Sequence, residues 1–173
     1  MASPTPGPDP DDIPLRKNDW ELHRLIGQVA CWSAELDLAM LVLYVDLGRR
    51  TGVPEPLKKA EGQGTAALRD LLLEVIARAP IAGTDIAARV AAIVPAAKTA
   101  SEDRNDAVHG VWWSFEPMDL AIRIKRDGAR PARPFTANQL VDLAVRLKRA
   151  ELDCVGVIYT LNGIDPSQPA LRD

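Results

Sequence analysis

The sequence predicts an all-α fold: an up-and-down bundle of four to five helices with a small β-hairpin insertion before the last helix. Two observations carry this. Apolar residues recur at steps of three and four from Leu22 to Leu47, and again from Leu140 to Leu161. That spacing lines one face of a helix and suits no strand. Between these long segments, clear strand patterns are confined to residues 111–126.

The predicted elements follow in order. Residues 1–17 hold five prolines and no apolar anchor, so they read as a disordered Pro-rich arm. The arm lacks the apolar run of a signal peptide. A helical domain is expected over 18–162, with a flexible tail over 163–173. Asn18 and Glu21 form a capping-box pattern that opens the first helix. Its apolar positions are Leu22, Leu25, Ile26, Val29, Trp32, Leu36, Met40, Leu43 and Leu47. At 1.5 Å per residue the helix is about 45 Å long. Gly48 and Thr51-Gly52-Val53-Pro54 are expected to end it, and a loop through Pro56, Gly62 and Gly64 follows.

A second helix is expected from a Thr65 cap to Ala79, with Leu68, Leu71, Leu72 and Ile76 on its core face. Thr84 caps a third, which Pro95 is expected to kink or break. Helical pattern resumes to His109, and Gly110 suits the position after a helix end. Val111–Phe115 and Leu120–Ile124 read as the strands of a hairpin. Thr136 and Gln139 form a second capping box, opening the last helix through Leu140, Leu143, Ala144, Leu147, Cys154, Ile158 and Leu161.

Composition narrows the function. The 173 residues are 47% hydrophobic and 26% charged, which excludes a wholly disordered chain. The net charge of −3 argues against a generally basic nucleic-acid coat. No run of about 18 consecutive apolar residues occurs, so no membrane contact is expected. Cys31 and Cys154 are far apart and form no CxxC pair, which fits a reducing cytoplasm and small core roles. Walker, GxGxxG, HExxH and GxSxG motifs are missing, leaving kinase, dinucleotide, zinc-protease and serine-hydrolase readings without support. No cofactor is expected.

Chemistry gathers at Arg104, Asn105 and His109. Asn105 and His109 are four apart and share a helix face, and Arg104 is one step round. A guanidinium grips phosphate oxygens with a planar fork. An imidazole titrating near neutrality moves protons. Asn fixes the imidazole tautomer or adds a donor. The bland alternative is an ordinary solvated helix end.

Other residues divide similarly. Glu102, Asp103 and Asp106 lie on mixed faces, which argues against a metal cluster; Glu102 and Asp103 read as solvated or paired with Arg104. Glu35 has two readings, a polar group touching the motif helix or a surface carboxylate. His23 reads as surface. Trp112 and Trp113 point to opposite sides of a strand, one for the core and one able to stack on a base. Residues 121–150 carry eight basic residues, Arg123, Lys125 and Arg126 among them, against two acidic ones. That cluster reads as an electrostatic track for RNA or, blandly, as a solvated face.

Arg104-Asn105-Asp106-Ala107-Val108-His109 resembles the signature of the HEPN superfamily: an Arg, often followed by a polar residue, with a His four to six residues on. Gly110 and Trp112, the expected hairpin and the final helix are similar to the order seen in several members. Trp32 and Glu35 resemble the family's first-helix Trp and Glu. The resemblance spans residues 18–162. It implies a small helical bundle acting as a metal-independent endoribonuclease. In such enzymes the motif His serves as acid or base and the Arg holds the scissile phosphate. Asp103 and Glu35 then become supporting residues, and Trp112, Arg123, Lys125 and Arg126 substrate contacts. Toxin members imply an antitoxin or regulatory partner, although they often carry a Tyr just after the His and this chain does not. Other relatives are inactive and bind RNA, nucleotides or proteins, which gives a competing expectation of a silent scaffold. One motif His per chain is too few for paired acid and base work, so a homodimer with a composite site is expected.

Overall fold

The computed structural model describes residues 19–109, 111–115, 118–122 and 135–164. The Pro-rich arm, the Asn18 cap, Gly110, Arg123, Lys125, Arg126 and the tail beyond residue 164 lie outside the described residues. The fold is all-α in its body. Five helices are described: α1 (Asp19–Arg50), α2 (Pro56–Ala60), α3 (Thr65–Ile76), α4 (Asp85–Val108) and α5 (Ala137–Asn162). Between α4 and α5 the backbone of β1 (Val111–Phe115) pairs antiparallel with β2 (Met118–Ile122), Phe115 opposite Met118.

The α1 stripe builds the centre of the core. Leu36, Met40, Leu43 and Leu47 are fully buried, and Ile26 and Trp32 pack at the edge. They meet Leu140, Leu143 and Leu147 of α5, Leu72 and Val75 of α3 and Val90 of α4 in one cluster. By length and composition α1 could cross a membrane. In the bundle its leucine stripe is spent on protein neighbours instead.

Helix directions follow from the contacts between helices. Glu35 meets Lys148 at 2.9 Å, Asp46 meets Asn162 at 3.0 Å and Arg50 meets the Leu161 carbonyl at 2.6 Å. Both helices therefore advance together, and α1 and α5 are parallel. Helix α4 is antiparallel to α5, since Asp103 meets Arg146 and Arg89 meets Thr160. The cause lies after α1. Residues 51–64 travel back along the bundle, so α3 begins beside the middle of α1, where the Thr65 hydroxyl donates to Asp37 at 2.5 Å.

That return contains α2, a helix where a loop is expected. Pro56 sits at its start, where a missing N–H costs nothing. Gly48 lies inside α1 rather than ending it. A Cβ there would stand 2.8 Å from the Pro56 Cβ, so glycine permits α2 to close on α1. Gly52, at φ 71°, supplies the left-handed turn. The Val53 amide reaches back to the Gly48 carbonyl at 2.8 Å, completing a Schellman-type end.

Helix α4 runs unbroken through Pro95. Pro95 removes the donor for the Ala91 carbonyl, but both residues are exposed, so that face of the helix is open to solvent. Ile93, Val94 and Ala97 hold the opposite face in the core. Helix α3 stops at Ile76 rather than Ala79, and Gly64 is its N-cap, without a side-chain cap bond. The N-caps of α4 and α5 are formed by side chains. Thr84 accepts from Ala87 N–H, and Thr136 and Gln139 complete a reciprocal box.

Candidate functional site

The last turns of α4 present their side chains to α5, to a cleft beside α3 and to solvent. Asp103 is buried, 7% exposed, and faces α5, where Arg146 holds it at 2.8 Å. It is therefore neither solvated nor bound to Arg104. One residue on, about 100° round the helix, Arg104 faces α3. Its Nη1 donates to Asn105 Oδ1 at 2.8 Å, which orients the two side chains as a unit. His109 follows as the C-cap of α4, its backbone N–H bonded to the Asn105 carbonyl at 3.2 Å. The His109 side chain is exposed.

Arg104 and Asn105 line a cleft of about 420 Å³ between α1, α3 and α4. Asp37 contributes from α1, Thr65 and Arg69 from α3, and Ser101 from α4. Gly64 and Ala66 lie beside Thr65, so the start of α3 opens onto this space. Arg69 carries no marked sequence signal. Its part in the site follows from the return of residues 51–64, which no local pattern reveals.

The remaining predicted residues are dispersed. Glu35 pairs with Lys148 of α5 rather than with the motif helix. Lys148 also meets Glu151 at 2.9 Å, and these two carboxylates raise its pKa, Glu151 first. Arg146 and Lys148, both from the basic segment, are thus engaged in ion pairs along α5. Trp112 lies on β1 and pairs through its backbone with Ala121. His23 is exposed. Cys31 is exposed and not a core residue, because it follows the buried Val29 by two positions and so leaves the α1 stripe. Cys154 is buried, and burial, with Asp153 and Glu151 nearby, pushes its thiol up to about 12. Among the described residues, no three His, Cys, Asp or Glu side chains converge to hold a metal ion.

Compared with known proteins, the chain matches no family model, no curated protein and no solved structure.

Proposed function

We propose that the protein is a HEPN-like endoribonuclease that cleaves RNA by attack of the ribose 2′-hydroxyl. The observation that supports this most is the end of α4: Arg104 and Asn105 are coupled at a cleft, and an exposed His109 stands one turn beyond Asn105. In this reading His109 takes the proton from the 2′-hydroxyl, whose oxygen attacks phosphorus. The bond from phosphorus to the 5′-oxygen breaks, and that oxygen leaves with a proton from the His109 of a second subunit. A 2′,3′-cyclic phosphate remains on one fragment and a 5′-hydroxyl on the other. Arg104 holds the scissile phosphate and the charge that builds on its oxygens. DNA lacks the attacking hydroxyl and resists.

A two-fold homodimer belongs to the same proposal, because symmetry places a second Arg104 and His109 opposite the first. The exposed His109 favours catalysis over a silent scaffold, in which the imidazole would be locked within its own chain. Cytoplasmic RNA is the proposed substrate, and an antitoxin-like or regulatory protein is the proposed partner class. The test is incubation of pure protein with mixed RNA, with and without EDTA. Chelator-resistant cleavage is expected. RNA left intact under both conditions would overturn the proposal.

A further inference from the structure

Three buried donors around the α1–α3–α4 cleft have no acceptor among the described residues: Ser101 Oγ, Arg104 Nε and Arg69 Nη1. Ser101 is only 7% exposed. Each such group forfeits hydration without a hydrogen bond in return. Three of them at one cleft mark a place that lacks an acceptor. The start of α3 adds to this. Its N-cap is Gly64, no side chain caps it, and no acidic residue stands in its first turn. The backbone amides there carry the positive end of the helix dipole into the cleft.

The carboxylates at the cleft leave these donors unserved. Asp37 accepts from the Thr65 hydroxyl, and Glu102 is exposed. What the donors lack is therefore a ligand rich in acceptors and negative charge. A tetrahedral oxyanion fits best, since a guanidinium fork, a hydroxyl and helix amides can each take a separate oxygen. The volume of about 420 Å³ exceeds what a bare oxyanion fills and lies in the usual range for small-molecule sites.

We propose that this cleft binds a phosphate group carried on a nucleotide unit, held by Arg69, Arg104, Ser101 and the first turn of α3. The site shares Arg104 with the cleavage motif but stands on the cleft's own geometry. A free nucleotide and a phosphate within RNA offer the same chemistry here. If RNA is the source, the cleft seats a phosphate next to the one being cut, and Arg69 becomes a substrate-binding residue.

Calorimetric titration of the full chain with inorganic phosphate, at matched ionic strength in chloride, tests this. The wild type should bind. Arg69→Ala should weaken binding about tenfold or more, as expected for loss of a charge-assisted contact. Ser101→Ala should weaken it severalfold while folding normally, since it removes a hydroxyl that bonds nothing. If Arg69→Ala fails to fold, Ser101→Ala decides alone. Competition with a 5′-mononucleotide and with a 2′-O-methylated RNA oligomer, which cannot be cut, separates the two sources. Absence of phosphate binding at tens of millimolar, or equal binding by wild type and variants, overturns the site. Phosphate binding through Arg69 in a protein that cuts no RNA would sink the ribonuclease reading and keep the cleft.

Discussion

Asp103 and Arg104 are neighbours in sequence with opposite duties: Asp103 is buried against Arg146 of α5, and Arg104 faces a cleft beside α3. The ion pair fixes the rotation of α4 about its axis, and that rotation aims Arg104. Asp103→Asn should therefore cost stability and disturb the site together. We expect a loss of about 1–2 kcal/mol, discounted because Arg146 is half exposed. Denaturant unfolding measures the first effect. A variant as stable as the wild type would show that the pair does not anchor the helix.

His109→Ala should leave stability unchanged, because the side chain is exposed and the C-cap bond is made by the backbone. RNA cleavage should fall by about 10²-fold or more, the usual contribution of a positioned acid or base. A thermal melt and a cleavage time course together separate the two outcomes.

Gly48→Ala ordinarily gains up to about 1 kcal/mol within a helix. Here the added methyl would meet Pro56 at 2.8 Å, and a proline ring has little room to yield. We expect net destabilisation of about 1–2 kcal/mol, read from a shift in the denaturant midpoint.

The two thiols should separate in a labelling experiment. Cys31 is exposed and should react at once in native protein; Cys154, buried with its pKa at about 12, should react only after unfolding. The same shift gives a sign for pH. The unfolded thiol ionises near 9 while the folded one stays protonated, so this group's contribution falls as pH rises from about 9 to 12. Cys154→Ala should flatten that part of the stability profile.

Assembly is checked by sedimentation. A composite site requires twice the 18.8 kDa chain mass at micromolar concentration. A strict monomer that still cuts RNA would contradict the paired His109 arrangement.

The long helices were legible because each is a local signal: the α1 leucine stripe and the Thr136–Gln139 box are read within a few turns of chain. Pro95 misleads because tolerance of a proline depends on which face meets solvent, and that is a tertiary fact. Asp103 misleads because a carboxylate beside Arg104 in sequence finds a better partner 43 residues away on α5. The parallel course of α1 and α5 was hidden because it follows from the short helix α2 and the path of residues 51–64. The placement of Arg104, Asn105 and His109 together at the end of α4 was legible from their spacing. Arg69 and Ser101 were not, since neither belongs to a pattern and only packing brings them to the cleft.

The most direct test of the central claim is the chemistry of the cut ends. RNA treated with wild-type protein in EDTA should carry 2′,3′-cyclic phosphate and 5′-hydroxyl termini. A substrate with a single 2′-deoxy sugar at the cleavage position should stay whole, as should RNA treated with His109→Ala. Fragments ending in 3′-hydroxyl and 5′-phosphate, or equal cutting by His109→Ala, would contradict the account.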